Sequence, residues 1–346
     1  MVVTWQLRHQ LMAERTGGKQ KMTTDQAVLL RARDGDRRAF SELTEQYRAE
    51  LQAHCYRMLG SVHDAEDMVQ ETLTAAWRAL PGFEGRASLR AWLYRIATNR
   101  CLNARRDARR VPSVPVPPFA PPEPTRRGDR PWLQPYPEAL LTGLADTGAG
   151  PEARYQRRET IELAFVAGLQ RLPPRQLAVL LLRDVLGFGT AEVAIMLDTT
   201  AIAVKASLQR ARASMHPQSH PDPRPGTARQ AAAAELAVAR RFADAYQGDD
   251  IDTLIGLLTD DAWLVMPPAP HEYQGRAAIA GFLRASAGWR AGARFRLTPV
   301  LAGGQPAFMS YYLDQPAGLI VLTVAGDRIA VISRFLDTGL YRYFER

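Results

Sequence analysis

Cysteine is one of the two rarest residue types in this sequence. Only two cysteines, Cys55 and Cys101, occur among its 346 residues, and neither belongs to a Cys-x-x-Cys motif or to a Cys/His cluster. Two thiols this far apart in a sequence are more often small buried apolar residues than a disulfide or a zinc site. We therefore expect both to lie in a core, and the sequence predicts neither a metal site nor a cofactor.

Long apolar runs are missing as well. No run approaches the ~18–20 residues that a membrane-spanning helix needs, and the longest, such as Leu177–Leu182, end at an arginine or an aspartate. The first residues lack the apolar core of a secretory signal. We therefore expect a protein of the cytoplasm that has no membrane partner.

The bulk composition is that of a folded protein with excess positive charge. Apolar residues make up 46% of the chain and charged residues 23%, and the net charge is +8. The length is enough for two or three domains, and the positive excess favours a polyanionic partner. The first helical pattern follows Thr23-Thr24-Asp25, so the start codon stays open among Met1, Met12 and Met22.

Proline density divides the chain. Ten prolines fall within residues 111–137, a density that excludes helix and favours extended chain. The aromatic segment Trp132–Pro137 in this linker fits either loose packing or a docking role. The expected divisions are a flexible extension at 1–22, a helical domain at 23–110, a Pro-rich linker at 111–150, a helical domain at 151–216, a linker at 217–227 and an α+β domain at 228–346.

The last division combines leading helices with later strands, which is typical of the α+β class. Two helices are expected at about 228–247 and 250–258. The candidate strands are Trp263–Met266, Phe295–Leu301, Ala307–Leu313, Leu319–Val324 and Ile329–Phe335.

An acidic amphipathic helix is predicted at Asp64–Leu80, where apolar residues recur every three or four positions. On the residues alone, a solvated acidic face near a helix N-terminus explains the opposite side, because the helix dipole favours carboxylates there. The polar face carries Asp64, Asp67, Gln70 and Glu71.

A basic helix is predicted to begin near Ser88, a suitable N-cap. Between Glu84 and Arg110 there are eight arginines and two acidic residues, a net charge of +6. Arginine suits phosphate and base contacts, asparagine pairs with base edges, and the neighbouring Trp92 and Tyr94 offer stacking surfaces. The pattern favours nucleic acid over a merely solvated basic face. The polar stripe consists of Arg95, Asn99, Asn103, Arg106 and Arg110.

Two segments, Asp64–Thr72 and Phe83–Arg100, resemble region 2 of the sigma-70 family, most of all its extracytoplasmic-function group. The resemblance covers about residues 38–110. It implies that the acidic face docks on the clamp helices of the β′ subunit of RNA polymerase. It also implies that the loop Phe83–Leu89 captures a flipped-out base of the −10 element and that the next helix contacts promoter DNA as it melts. The implied −10 residues are Phe83, Arg86, Ser88, Arg90, Tyr94, Arg95, Asn99, Asn103 and Arg106.

A helix-turn-helix is predicted in the second helical block. Leu169–Asp184 is apolar and mostly helical, Thr190 can cap a short helix at Ala191–Leu197, and a tight turn leads to a helix at Ala201–Ala213. That last helix has three basic residues and no acidic one, which favours DNA over an ordinary helical hairpin. Its expected inner residues are Ile202, Val204 and Leu208.

The segment Leu172–Arg212 resembles region 4 of sigma factors. The resemblance implies contacts with the −35 element and with the β flap of the polymerase, and a linker that passes near the polymerase active centre. Residues 198–203 depart from the Ser/Gly-rich turn of the family. The implied −35 residues are Ala203, Lys205, Ser207, Gln209, Arg210 and Arg212.

The segment Phe242–Leu283 resembles the SnoaL-like branch of the nuclear-transport-factor-2-like fold, a cone with a curved sheet and an apolar pocket. If the domain is an enzyme, Asp261, His271 or Asp337 would be its acid or base. If it is regulatory, it binds the sigma regions or an unidentified small molecule. No convincing Asp/His constellation appears, which favours regulation. The expected pocket residues are Trp263, Met266, Tyr273, Phe282, Phe308 and Phe335, with Trp289, Phe295 and Tyr311 as further candidates.

The whole chain is thus expected to be a multidomain alternative sigma factor. Two all-α sigma domains, the second a helix-turn-helix, precede a C-terminal α+β cone, and the expected partners are core RNA polymerase and promoter DNA. The chain as a whole is not expected to be an enzyme. The alternative is a helix-turn-helix regulator with a ligand-sensing or enzymatic tail, which explains residues 160–345 but not the block at 38–110.

Overall fold

The computed structural model of the chain describes residues 26–107, 117–127, 133–140, 163–215, 228–267 and 269–345. The expected extension at 1–22, the linker at 217–227 and Trp132 lie outside these residues. None of the helices in the described ranges is both long and apolar enough to cross a membrane.

The first helical unit contains four helices: α1 at 26–33, α2 at Arg37–Leu59, α3 at Val62–Ala79 and α4 at Leu89–Asp107. Ser61 caps α3 by accepting a hydrogen bond from the Asp64 N–H, and Ser88 accepts one from the Ala91 N–H at the start of α4, as expected of an N-cap. Cys55 and Cys101 are both fully buried in this unit, which confirms that they are core residues.

The second helical unit contains α5 at Leu163–Gln170, α6 at Pro174–Leu180, α7 at Thr190–Met196 and α8 at Ala201–Met215. A π-helical turn at Leu181–Val185 extends α6. The expected helix-turn-helix is formed by α7 and α8, and Asp198 adopts a left-handed φ of 49° in the turn between them.

Two expectations for this unit are wrong in detail. Thr190 is the first residue of α7 and not its cap; the Glu192 carboxylate accepts a hydrogen bond from the Gly189 N–H there. Ile202 does not face inward but is 81% exposed, whereas Val204 is buried and Leu208 packs against the core.

The C-terminal domain has the expected α+β class. Helices α9 at Ala228–Gly248, α10 at Ile251–Gly256 and α11 at Arg276–Arg290 pack on a sheet. All five expected strands are present, but the sequence interpretation missed α11 and the strand His271–Gln274. The strands are β1 at Arg126–Arg127, β2 at Leu258–Val265, β3 at His271–Gln274, β4 at Phe295–Ala302, β5 at Gln305–Tyr312, β6 at Gln315–Ala325 and β7 at Arg328–Phe335.

The sheet order is β1-β3-β2-β7-β6-β5-β4, with β2 and β7 parallel and the other neighbours antiparallel. Because side chains alternate across a strand, the sheet has two apolar faces. Phe308, Ile320 and Ile332 belong to the cluster that contains residues of the domain's own helices. Met309 and Phe335 lie on the opposite face of the sheet. They join the core that extends into the two helical units.

Candidate nucleic-acid and polymerase interfaces

The acidic face of α3 is open to solvent. Its apolar side, which includes Val69 and Ala76, is buried against the other helices of the unit. Of the polar residues, Glu71 accepts a hydrogen bond from Arg100 of α4 at 2.6 Å. The four predicted residues, all exposed, are Asp64, Asp67, Gln70 and Glu71.

The polar stripe of α4 is exposed where the structure describes it. Arg95, Asn99 and Asn103 line a groove of about 430 Å³ between α3 and α4, with Trp92 and Ile96 supplying apolar walls. A volume of this size falls in the ~300–1,000 Å³ range of small-molecule sites. The exposed predicted −10 residues are Arg86, Ser88, Arg95, Asn99, Asn103 and Arg106; Arg110 lies outside the described residues.

Two predicted −10 residues are core residues instead. Phe83 is only 8% exposed and its ring lies 4.9 Å from that of Trp92. Tyr94 is fully buried and its hydroxyl donates to Glu50 at 3.2 Å; burial, with the neighbouring Glu50 carboxylate, raises the pKa of Tyr94. Neither ring offers a free stacking face, so the expectation of direct base contact by these two residues is wrong for this arrangement.

The second helical unit covers part of α4. The Asn99 amide donates to the Met196 carbonyl at 3.4 Å. The half-buried Arg90 pairs with Glu50 at 3.2 Å, and its guanidinium lies 4.9 Å from the Phe188 ring centroid. Together with Tyr94, whose ring lies 5.4 Å from that of Phe188, three of the predicted −10 residues are therefore in contact with the unit that carries the helix-turn-helix.

A half-buried polar cluster joins the two units. Arg105 of α4 donates to the Met58 carbonyl at 2.8 Å and to the Gln170 side chain at 2.9 Å. Gln170 in turn donates to the Arg57 carbonyl at 2.9 Å. Charged donors on buried acceptors contribute more to stability than neutral pairs do. This cluster therefore stabilises the packing of the two helical units against each other, which we call the closed arrangement.

The helix α8 presents its basic face to solvent. Lys205, Gln209 and Arg210 are exposed. Arg212 is also exposed but holds Asp184 through two hydrogen bonds of 2.9 and 2.7 Å, which raise the pKa of its guanidinium. Ala203 and Ser207 are half-buried, so they offer less surface than the other predicted −35 residues.

Four of the six expected pocket residues share the interior of the cone: Met266, Tyr273, Phe282 and Phe308. Phe335 is wrongly placed by the sequence interpretation, because it lies on the opposite face of the sheet. Trp263 is half-buried and outside that cluster. Of the further candidates, Phe295 joins the cone interior and Tyr311 packs on the other face.

The linker occupies the mouth of the cone, a contact that no local sequence pattern indicated. The ring of Phe119 lies 5.4 Å from Phe282 and 6.1 Å from Trp289. The Tyr273 hydroxyl donates to the Pro122 carbonyl at 2.8 Å, and β1 of the linker pairs with β3 at the edge of the sheet.

The expected acid and base candidates of the tail do not converge. Asp261 is exposed on β2. Asp337 caps the last turn of the chain, at Thr338–Tyr343, and accepts from Gln134 of the linker at 3.0 Å. A hydrogen bond with His63 of the first unit lowers the pKa of Asp337. His271 lies on β3, where it is the register partner of Arg127 of β1.

The tail also contacts the start of α3. The Tyr343 hydroxyl donates to Glu66 at 2.8 Å and lies 2.9 Å from Nδ1 of His63. Arg342 lies 3.6 Å from the Glu66 carboxylate. The end of the chain thus sits beside the acidic face of α3.

Gln134 joins the linker, the tail and α3 at one buried point. Its side-chain oxygen accepts from the Val62 N–H at 2.8 Å and from the Ser61 hydroxyl at 3.1 Å, while its amide donates to Asp337. The Tyr56 hydroxyl donates to the Gln134 carbonyl at 2.8 Å.

Three family models match this chain in order. Residues 43–111 match sigma-70 region 2, residues 162–215 match sigma-70 region 4, and residues 239–339 match the SnoaL-like domain. The first two matches define a sigma-70-type protein.

Among curated relatives, the chain is similar to the ECF RNA polymerase sigma factor SigG of Mycobacterium tuberculosis strain H37Rv. The two are 43% identical over 323 residues, covering 90% of this chain and 85% of the relative. RNA polymerase sigma factor NccH of Alcaligenes xylosoxydans is 32% identical over 195 residues, covering 56% of this chain and 93% of the relative. The chain therefore belongs to the extracytoplasmic-function (ECF) family of RNA polymerase sigma factors, and it carries a SnoaL-like C-terminal domain.

A solved structure shows the same fold. The crystal structure of the extracytoplasmic-function sigma factor SigJ of Mycobacterium tuberculosis matches with a TM-score of 0.57 at 22% identity, covering 88% of this chain and 98% of that one. The multidomain fold class expected from the sequence is confirmed.

Proposed function

We propose that this chain works in the cytoplasm by docking the acidic face of α3 on the β′ clamp helices of core RNA polymerase. The helix α4 then reads the −10 element, and α8 reads the −35 element beside the β flap. The observation that carries the proposal is the groove between α3 and α4, where Arg95, Asn99 and Asn103 stand next to the acidic face.

The groove gives the melting step a physical basis. Removing a base from the stack costs a few kcal/mol, which a pocket for the extruded base offsets. The stripe supplies charge for the phosphates and amides for the base edge. Phe83 supports this wall from beneath through Trp92, and Arg86 and Ser88 remain the exposed members of the neighbouring loop.

The closed arrangement has to open before α4 meets DNA along its whole stripe. Asn99 is held by the second unit, and Arg90 is held between Glu50 and Phe188. Reading −10 and −35 elements at once requires the two helical units to separate, so we propose that polymerase docking shifts the chain towards an open state.

Run-off transcription with purified core polymerase tests this proposal. Asp67→Lys should reduce core binding and transcription strongly, because it reverses a charge in the proposed docking face. Glu45→Lys, at a carboxylate of α2 that is also exposed, is the matched control and should leave both unchanged. Duplex binding without any core-dependent initiation would favour the helix-turn-helix regulator instead.

For the tail we propose regulation of the sigma regions, and no catalysis. Supporting this, the tail binds the linker at Phe119 and Gln134 and touches α3 through Tyr343. A small molecule that enters the cone would compete with Phe119 for the ring of Phe282, which couples ligand binding to the linker. The separation of Asp261 and Asp337 speaks against an acid–base pair.

Linker variants of the full chain test the tail. Phe119→Ala and Gln134→Ala should each change core-dependent transcription, because they detach the linker from the tail or from α3. Glu123→Ala, an exposed residue of the same linker segment, serves as the control. Unchanged transcription in both variants would contradict regulation through the linker, and multiple turnover of any added substrate would contradict the absence of catalysis.

A further inference from the structure

Ile202 is the second residue of α8 and the most exposed of the large apolar residues in the described part of the chain, at 81%. The sides of α8 that face the core are taken by Val204 and Ala211, which are buried. An isoleucine left in water contributes nothing to folding through burial. Its side chain is therefore free to contact a partner.

The face that Ile202 occupies is the face that α8 turns to solvent. Residues three and four apart lie together on a helix, so Ile202, Lys205 and Gln209 form one exposed row. The Thr200 hydroxyl accepts a hydrogen bond from the Ala203 N–H and fixes the start of the helix. Ile202 thus stands at the N-terminal tip of a well-anchored helix, ahead of the polar residues.

The surroundings of Ile202 select a polyanion as its partner. The helix carries Lys205, Arg210 and Arg212 and no acidic residue. In a helix-turn-helix the N-terminal residues of the second helix contact base edges in the major groove. Among the bases only thymine presents a methyl group there, and a side chain without donors or acceptors has no other base edge to recognise.

We infer that Ile202 is a specificity-determining residue of the −35 contact, which packs against the C5 methyl group of a thymine. The inference rests on the proposed role of α8. Isoleucine suits the task because its branched side chain has a nearly fixed χ1 on a helix, so little rotamer freedom is lost on contact. Removing one buried methyl contact should weaken binding about fourfold.

The experiment uses full-length chain bound to core polymerase, and promoter fragments selected from a library randomised upstream of the −10 element. Wild type should select thymine at one or two upstream positions, and deoxyuridine at that position should weaken binding about fourfold, since it lacks only the methyl group. Ile202→Ala should lose the preference and bind both fragments equally. Ile195→Ala is the matched control, because Ile195 is also exposed, at 67%, but lies on α7; it should retain the preference.

The outcomes separate this inference from the proposed function. If the thymine-to-deoxyuridine difference persists in Ile202→Ala, another group reads the methyl and the inference is overturned. It is equally overturned if wild type shows no upstream thymine preference. If Lys205→Ala combined with Arg210→Ala leaves upstream DNA binding intact, the proposed role of α8 itself fails.

Discussion

The two helices proposed to contact DNA, α4 and α8, differ in how exposed their polar rows are. The row on α8 formed by Ile202, Lys205 and Gln209 is exposed along its length, whereas the stripe on α4 is contacted by the second unit at Asn99. The same unit that presents one reading helix thus covers part of the other. Under the proposed function, α8 can therefore contact duplex DNA at the upstream element without rearrangement, whereas α4 needs the two units to separate before it contacts the melted strand.

The largest expected effect is a loss of stability at acid pH, which should affect α4 before α8. Burial lowers the pKa of His54, beneath α4, to about 3, and its Nε2 lies 2.9 Å from the Thr98 hydroxyl. The unfolded state then binds the extra proton, so stability falls as the pH drops below about 6.5, by roughly 3 kcal/mol at pH 4.5. Hydrogen exchange at pH 7 and 4.5 should show α4 losing protection before α8. In His54→Phe this pH-dependent difference should shrink; equal loss in both helices of wild type would contradict the assignment.

The next effect tests the stripe on α4. Asn99→Ala should lower open-complex formation about tenfold, because one amide that pairs with a base edge is lost. Binding to closed duplex promoter should change little. Permanganate footprinting with core polymerase measures the first quantity and filter binding the second, and an equal loss in both would contradict the role given to Asn99.

Weakening the contact between the two helical units should increase DNA binding, in contrast with the loss expected for Asn99→Ala. Gln170→Ala removes the bridge between Arg105 and the Arg57 carbonyl, which costs the closed state about 1–2 kcal/mol. Binding of single-stranded −10 DNA to the chain should therefore rise several-fold. Fluorescence anisotropy with a labelled oligonucleotide measures it, and Gln46→Ala on α2 is a control outside the cluster. No gain in affinity would mean that the second unit does not limit access to α4.

The smallest expected effect concerns α8. Lys205→Ala should lower the dependence of log affinity on log salt by about one unit, because one phosphate contact is lost. The loss of affinity should be uniform across upstream sequences. A change confined to one sequence would place Lys205 on a base and not on a phosphate.

Much of this architecture could be predicted from local periodicity, and the errors have physical causes. The acidic and basic helices and five strands follow from three-to-four and two-residue spacings. The error at Ile202 arose because residues two apart on a helix cannot both face inward, and Val204 holds the inner position. Phe335 was misplaced because a bulge in the β6–β7 ladder, between Val324 and Thr323, breaks simple alternation.

The contacts between units could not be predicted, because they join residues far apart in the sequence that carry no periodic signal. The hydrogen bond from Asn99 to Met196 and the buried position of Tyr94 beside Phe188 both depend on how the two helical units pack. The same is true of Phe119 in the mouth of the cone.

The hydrogen bond between Gln134 and Asp337 has a consequence for the chain during its synthesis on the ribosome. The two residues are separated by 203 positions, so at ~5–20 residues per second a ribosome needs roughly 10–40 s to make the second after the first. By the end of that interval both helical units, which end at residue 215, have been made, while the segment that contacts Gln134 has not. Any control that the tail exerts through this hydrogen bond can therefore begin only after the C-terminal domain has been made, which leaves the nascent chain a period without it.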